Sequence, residues 1–404
     1  METVEKKKTA EDKKKARRLK WHRWVWNNLM PIVKVFVRLH YGPMDFAPAP
    51  ALEGGYIVLP NHTCGGDQFF VAFSFPKRQM YFLCSEHSFR NRFLGLVMKV
   101  MLGPISRVKG SVDASAVLSL MRLLRQGIPI CMFPEGNRSW NGRTAPLHPT
   151  TAKFLRSSGV PIVTYRIEGG YLSDPRWSKS LRRGKITGRV VNVYQPSELR
   201  KMTPAQIDAL VSKDLWVDAD ALQRENPMPF KGKNLAEGLE EALFLCPKCG
   251  KVGTLRSHGN EFDCDCGLHA TYNELGRFDE GAPFRTVAEW DDWQQEELRK
   301  RAEAPDVALS DDGAEIWQMV GPHKMRRIGE GRLTLNRKGL HLGQLCFPVE
   351  TMLQPELCHL GGKETLMFSN PEGSFELRFR NRTSRRKYHL LLSDFLRQKE
   401  ESGV

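Results

Sequence analysis

The feature that most constrains the fold of this chain is an alternation between short apolar runs and longer helical segments, from Gly55 to Ile167. The apolar runs lie at residues 56–59, 80–84, 128–133 and 160–165, and the helical segments at 67–75, 88–102, 112–126 and 149–157. Strands that alternate with helices form a sheet with helices packed on its faces. The pattern therefore predicts an α/β fold, a layered sheet with flanking helices, in which strand-end loops carry the functional side chains.

The loop after the first apolar run holds a histidine and a carboxylate, His62 and Asp67, five residues apart. Five residues rotate a helix by roughly 140°, and an odd separation in a strand places side chains on opposite faces. Only a turn that enters a helix can join the two, and Gly65 and Gly66 supply the backbone freedom for one. A carboxylate that holds an imidazole in one tautomer makes a general base. The alternative is a capping aspartate beside an ordinary surface histidine.

A second loop, Phe133 to Ser139, has the sequence Phe-Pro-Glu-Gly-Asn-Arg-Ser and follows another apolar run. The order His-x4-Asp and then this segment, each after a strand, resembles the glycerolipid acyltransferase family, typified by lysophosphatidic acid acyltransferase. The resemblance covers roughly residues 41–235. It implies the fold of that family and the transfer of a fatty acyl group to a hydroxyl. The donor is an acyl thioester, either acyl-CoA or acyl-ACP (the acyl carrier protein).

The resemblance also assigns two catalytic roles. His62 takes the proton from the acceptor hydroxyl as that oxygen attacks the thioester carbonyl. Asp67 orients the imidazole and stabilises its protonated form. Because the acceptor itself is the nucleophile, no serine or cysteine of the protein becomes acylated.

Four residues are placed beside the acceptor by the same resemblance: Arg107, Glu135, Gly136 and Arg138. Arg107 ends a segment similar to the second block of the family. A guanidinium fork matches the paired oxygens of a phosphate, and a glycine lets backbone amides approach closely. An ionised Glu135 does not bind phosphate, so we expect it to pair with an arginine or to accept a hydrogen bond from a glycerol hydroxyl.

Two positions depart from the pattern of the family. Cys64 stands where serine is frequent, and Asn137 where threonine is more usual. No segment matches the basic Lys-Phe-x-x-Gly block of some members. The expected acceptor is a lysophospholipid, foremost 1-acylglycerol-3-phosphate, which would give phosphatidic acid; another lysolipid or an alcohol is the alternative.

Two close cysteine pairs, Cys246/Cys249 and Cys264/Cys266, are separated by 14 residues. Such pairs can place four thiolates around Zn²⁺, and the glycine after each pair permits the tight turn that a zinc ribbon needs. The second pair is Cys-x-Cys, so His258 or His269 could replace one ligand. A closed four-ligand site has no position for substrate, so we expect a structural zinc in residues 236–280.

The N-terminal residues 1–40 are basic and then apolar. Residues 1–20 hold nine Lys or Arg against four acids, which predicts a solvated or frayed leader. Apolar residues then recur at helical spacing: Trp21, Val25, Leu29, Ile32 and Phe36. Pro31 should kink or break this run. Tryptophan and basic residues beside an apolar stripe are typical of an interfacial amphipathic helix; the alternative is a helix packed on the core of its own domain.

The tail, residues 281–404, begins with an acidic helical stretch around Trp290 and continues with short alternating runs. It ends in a helical segment from Lys387 to Arg397. Several strands followed by one helix resemble a pleckstrin-homology-like (PH-like) domain. A basic cluster contains Arg378, Arg380, Arg382, Arg385, Arg386 and Lys387. It predicts either a solvated face or a surface for lipid headgroups or acidic proteins.

The composition limits the partners. Net charge is +15, which favours an anionic partner. No run reaches 18 uncharged apolar residues, so no transmembrane helix is expected. Nine cysteines without a visible secretory signal indicate a reducing compartment. We therefore expect a peripheral or monotopic protein on the cytoplasmic side of an anionic membrane surface.

Two functions of other classes compete with acyl transfer. A nucleic-acid-binding zinc protein would fit the net charge, but the chain lacks aromatics interleaved with basic residues on strands, so no nucleic acid partner is expected. A catalytically inactive lipid-binding scaffold would need no general base. His62, Asp67, Glu135 and Arg138 together argue against it.

Overall fold

The structure is a computed structural model that describes residues 2–76, 78–86, 96, 100, 103, 105–107, 114–321, 324–360 and 363–402. Apart from residues 96 and 100, the helix predicted at 88–102 lies outside the described residues. Within these residues, three sheets follow one another along the chain, with seven, three and seven strands.

The first sheet carries the strands predicted from the apolar runs. Its strands are β1 (Met44–Phe46), β2 (Ile57–Pro60), β3 (Tyr81–Ser85), β4 (Ile105–Arg107), β5 (Ile130–Cys131), β6 (Ile162–Glu168) and β7 (Ile186–Tyr194). They lie in the order β1-β7-β6-β2-β5-β3-β4. Neighbouring strands from β6 to β4 are parallel, whereas β7 is antiparallel to β6. The carboxyl ends of five strands therefore meet at one edge of the sheet.

Helices cover both faces of this sheet, as the alternation predicts. They are α1 (Glu2–Tyr41), α2 (Asp67–Ser74), α3 (Ala114–Arg125), α4 (Thr151–Ser158), α5 (Gly170–Ser173), α6 (Pro196–Leu199), α7 (Pro204–Leu215) and α8 (Ala219–Glu225). Val58 packs with residues of α1 and α2, whereas Ile57 and Leu59 pack with residues of α3, α4 and α7. Because successive strand residues face opposite sides, the apolar run fills two cores.

The N-terminal segment differs from its prediction. It forms one helix, α1, through residues expected to fray and through Pro31. Trp26 and Met30 before the proline, and Val37 after it, are buried against the sheet. Pro31 itself is exposed, so the carbonyl that loses its partner can bond to water while packing holds both flanks.

The second sheet belongs to the cysteine-rich segment. Its strands β8 (Leu255–His258), β9 (Glu261–Cys264) and β10 (Leu268–Thr271) are antiparallel, after a short helix α9 (Leu239–Ala242). Its core contains Phe262 and Trp290 and also Trp177, which follows α5. The second sheet is thus packed against the preceding sequence through a shared core.

The third sheet follows helix α10 (Val287–Ala302) in the sequence and is followed by helix α11 (Arg385–Ser402). Its strands are β11 (Ala308–Gly321), β12 (Lys324–Asn336), β13 (Gly339–Leu342), β14 (Leu345–Pro348), β15 (Leu353–Leu360), β16 (Lys363–Asn370) and β17 (Gly373–Phe379). They lie in the order β14-β13-β12-β11-β17-β16-β15, and the paired strands are antiparallel. The β-rich tail with a final helix is present; its PH-like character stays a prediction.

The basic cluster of the tail is divided between buried and exposed residues. Arg385, Arg386 and Lys387 are buried, and Lys387 Nζ lies 2.6 Å from Asp311 Oδ2. Arg380 and Arg382 are 56% and 66% exposed, and each lies within 4 Å of a glutamate of the same chain. A headgroup or acidic-protein surface at the exposed part of the cluster stays a prediction. Among the described residues, no helix has the length and apolar character needed to cross a membrane.

Candidate active site

His62 and Asp67 meet in a turn that enters a helix, as their spacing predicts. Asp67 is the first residue of α2, and the turn between strand β2 and this helix brings His62 Nδ1 within 2.8 Å of Asp67 Oδ2. The His62 side chain is 20% exposed and that of Asp67 is fully buried. With Nδ1 engaged by the carboxylate, Nε2 is the ring nitrogen placed to take a proton from a substrate.

Four further groups of the turn fix the carboxylate of Asp67. The backbone N–H groups of Thr63 and Cys64 donate to Oδ2 at 2.5 and 2.9 Å, and the Thr63 hydroxyl donates to Oδ1 at 2.6 Å. Cys64 Sγ lies 3.3 Å from Oδ1, so the thiol keeps the hydrogen bond expected from serine. Burial and the charge of Asp67 raise the pKa of the Cys64 thiol well above its usual value, which keeps it a donor.

Gly66 is required in this turn by close packing. A Cβ atom at this position would lie 2.7 Å from the Phe70 ring and 2.9 Å from the Tyr41 ring. Since carbon atoms do not approach that closely without displacement, any side chain would push α2 away from α1. The second glycine therefore sets the distance between the two helices at the site.

Glu135 joins the second motif loop to the first. Its Oε1 accepts from the backbone N–H of His62 at 2.6 Å, and its Oε2 accepts from the backbone N–H of Ala145 at 2.7 Å. Burial raises the pKa of Glu135 to about 8, against the two backbone hydrogen bonds that lower it. Each oxygen of Glu135 thus has a backbone donor, and its expected pairing with an arginine or a glycerol hydroxyl stays a prediction.

Phe133 and Ser139 complete the contact between the two loops. The Phe133 ring stacks on the His62 imidazole with centroids 4.2 Å apart, and Ser139 N donates to the His62 carbonyl at 2.9 Å. Gly136 lies between them with φ of +73°, a left-handed conformation that favours glycine. The His62 ring is thus held on one face by Phe133. Its backbone is held by two hydrogen bonds, with Glu135 and with Ser139.

Arg138 lies on the same side as the histidine turn. Its Nη1 is 3.6 Å from Asp174 Oδ2, and the same oxygen accepts from Gly65 N at 3.0 Å. The backbone of Arg107 ends strand β4 at the edge where β2 and β5 also end, but its side chain is outside the described part. The structure therefore brings His62, Asp67, Glu135 and Arg138 together and places only the main chain of Arg107.

Sequence reasoning missed several residues that hold the site. Asn61 ties the histidine turn to β6 through two hydrogen bonds with Ile167, at 2.9 and 2.7 Å. Asp174 and Phe133 contact the site from other segments. Phe133 stood inside the motif that was singled out, but no signal marked Asp174, since only tertiary folding brings it to Gly65.

The four predicted zinc ligands converge. The sulfur atoms of Cys246, Cys249, Cys264 and Cys266 all lie within 4.8 Å of one another. Two of the pairs, 246/266 and 249/264, are 3.7 and 3.8 Å apart. Sulfurs bound tetrahedrally to Zn²⁺ at about 2.3 Å lie about 3.8 Å from one another. His269 instead contacts Asp263 at 2.5 Å, so the geometry fits four thiolates.

Comparison with known proteins agrees with these motifs. The model of the family described as Acyltransferase matches residues 38–168, a range that contains both motif loops. Among solved structures, the chain is similar to the 1-acyl-sn-glycerophosphate (LPA) acyltransferase PlsC from Thermotoga maritima. The sequence identity is 17% and the TM-score 0.42, over 51% of this chain and 83% of that one. Residues 38–168 therefore belong to the Acyltransferase family, and the protein is an acyltransferase, as the two motifs predict.

Proposed function

We propose that this acyltransferase moves a fatty acyl group from an acyl thioester to the hydroxyl of a lysophospholipid. The foremost acceptor is 1-acylglycerol-3-phosphate, and the product is then phosphatidic acid. The observation that carries the proposal is the contact of 2.8 Å between His62 Nδ1 and the buried carboxylate of Asp67. It fixes the orientation of the imidazole at the edge where the parallel strands end, and Nε2 is the proposed proton acceptor.

The reaction needs one base and no protein nucleophile. His62 Nε2 takes the hydroxyl proton while the acceptor oxygen bonds to the thioester carbonyl carbon. The carbon–sulfur bond then breaks, and the imidazolium returns the proton to the leaving thiolate. Asp67 stabilises the imidazolium throughout, because its negative charge lies against Nδ1.

Acceptor binding rests on Arg138 and Arg107. Both residues are at the edge that carries His62, and a guanidinium matches a phosphate with two parallel hydrogen bonds. Gly136 supports the turn that presents Arg138. We expect Glu135 to hold the His62 loop against the second motif loop rather than to bind the glycerol.

The membrane is the expected source of the acceptor, and α1 is the proposed contact. The helix buries one face on the sheet and exposes apolar side chains elsewhere on its surface: Trp21, Trp24, Ile32, Val35, Phe36 and Leu39. Basic residues lie along the same helix, among them Lys20, Arg23, Lys34 and Arg38. Exposed apolar residues beside cations are typical of helices at the surface of anionic bilayers.

The test is acyl transfer from a labelled acyl-CoA to 1-acylglycerol-3-phosphate by the purified protein and a His62→Ala variant. Loss of a general base lowers a rate by roughly 10² to 10⁴, so we expect turnover of the variant to fall by that factor. His258→Ala, an exposed histidine of the ribbon, is the control and should keep full activity. Equal turnover by wild type and His62→Ala would remove His62 from the mechanism.

A further inference from the structure

A buried charged cluster lies where the third sheet meets the loop that carries Arg138. Its members come from five separate segments, four of them buried and charged and one the partly buried Trp140: Trp140, Arg176, Asp291, Glu364 and Arg386. We refer to these five residues as the junction cluster. The family match ends at residue 168, so only Trp140 of the cluster lies inside it.

The centre of the junction cluster is a two-pronged ion pair. Arg176 Nε and Nη2 donate to the two carboxylate oxygens of Glu364 at 2.8 and 2.7 Å. Both side chains are almost fully buried, at 2% and 1% exposure. His359 Nδ1 also lies 2.7 Å from Glu364 Oε1. A buried fork of this kind holds its partners in one geometry, because breaking it leaves an uncompensated charge.

The ion pair reaches the active-site loop through Arg176. Its Nη1 donates to the backbone carbonyl of Arg138 at 3.5 Å, and its guanidinium lies 4.5 Å from the centre of the Trp140 ring. Arg386 of α11 also contacts the Trp140 ring, at 5.4 Å. Arg138 and Trp140, on either side of Ser139, therefore contact arginines that are paired with acids of the C-terminal region.

Helix α10 holds the next turn of the same loop. Asn141 Nδ2 donates to Asp291 Oδ2 at 2.8 Å, and Asp291 is itself paired with Arg386. Arg143 forms ion pairs with Asp292 of α10 and with Asp218. The segment from Arg138 to Arg143 is thus bounded on one side by the catalytic turn and on the other by the C-terminal region.

We propose that Glu364 and Arg176 are positioning residues for Arg138, so that the C-terminal sheet sets the geometry of the acceptor site. The inference rests on the proposed function for the identity of the acceptor. Under this inference the C-terminal region affects the affinity for the acceptor. A C-terminal module that served only for docking would not have that effect.

The experiment compares wild type with the double variant Arg176→Met and Glu364→Met. Replacing both partners avoids a buried unpaired charge, so the double variant keeps its fold better than either single variant. We expect the KM for 1-acylglycerol-3-phosphate to rise about 10-fold and the KM for acyl-CoA to stay within about 2-fold. Hydrogen exchange of the amides at residues 138–143, measured on the same proteins, should become faster.

The matched control is the double variant Lys387→Met and Asp311→Met, which removes both partners of another ion pair of the tail without touching the loop. It should lower the melting temperature and leave both KM values and the loop exchange unchanged.

Unchanged exchange at residues 138–143 in the folded variant with Arg176→Met and Glu364→Met would overturn the inference, whatever the activity. Faster exchange with an unchanged acceptor KM would overturn it as well. A wild-type protein without transfer activity would contradict the proposed function, and the exchange measurement would still decide the inference.

Discussion

Glu135 shows how one side chain can connect the two motif loops without entering the chemistry. Its two oxygens accept backbone N–H groups of His62 and Ala145, and the residue is almost fully buried. Removing the side chain would leave two N–H groups without partners, at about 1 to 3 kcal/mol each. The position of His62 therefore depends on a residue of the second loop.

The raised pKa of Glu135, about 8, predicts how stability depends on pH. The unfolded carboxyl titrates near 4.3, so between that value and about 8 the folded state binds the proton that the unfolded state has released. Stability from this group is full below pH 4.3 and is lost as pH rises, by up to about 1.4 kcal/mol per pH unit.

Glu135→Gln should remove this slope, because an amide has no proton to lose in that range. The measurement is urea unfolding of both proteins between pH 5 and about 8.5, by circular dichroism. The variant loses one acceptor, so we expect lower stability at pH 5 and a smaller difference at pH 8. The same pH slope in both proteins would assign it to other groups.

At the scale of elements, helix α1 is packed on one face, and its exposed surface carries large apolar side chains beside basic ones. Phe36 and Leu39 are 66% and 64% exposed although both are large and apolar. Exposure of such side chains to water is unfavourable. Burial of each in a bilayer interface would contribute about 1.5 to 3 kcal/mol to the free energy of membrane binding.

We expect Phe36→Asp to weaken binding to vesicles of anionic phospholipid by at least about 10-fold, the factor for a loss of about 1.4 kcal/mol. The measurement is co-sedimentation with vesicles at constant salt. Asn28→Asp adds the same charge at an exposed position of α1 without removing apolar area, and it controls for electrostatic repulsion. Equal loss in both variants would mean that charge, not apolar contact, explains the effect.

At the scale of the whole molecule, the cysteine cluster is connected to the preceding part of the chain through a shared core. Trp177 packs with Phe262 of β9 and with Trp290 of α10. Trp290 Nε1 also donates to the Leu245 carbonyl beside the first ligand pair, at 3.1 Å. A structural zinc contributes folding energy directly, since the site does not exist in the unfolded chain.

We expect the purified protein to hold zinc, and Cys249→Ser to lower both its zinc content and its melting temperature, by at least about 5 °C. Metal analysis and thermal unfolding are the measurements. Cys346→Ser changes an exposed cysteine outside the cluster and should alter neither. Full zinc content in the Cys249 variant would remove that residue from the site.

Much of this architecture could be predicted because it depends on contacts close in sequence. The apolar runs predict strands β2, β3, β5 and β6, and the five-residue spacing predicts the turn that joins His62 to Asp67. Strand β7 was missed. It lies near one edge of the sheet, and its residues are mostly part-exposed, so the apolar signal is weak.

The sequence by itself determined the two motif loops, the cluster of four cysteines and the acyltransferase identity, because each rests on residue types at short, fixed spacing. Only the tertiary structure decided the surroundings of those residues. It brought Asp174 to Gly65, put backbone donors on both oxygens of Glu135, and buried Arg386 and Lys387 of the tail against aspartates. The physical reason is range: a charge on the linear chain has no partner until folding brings distant segments together. A pattern of arginines therefore cannot tell a binding surface from a buried ion pair.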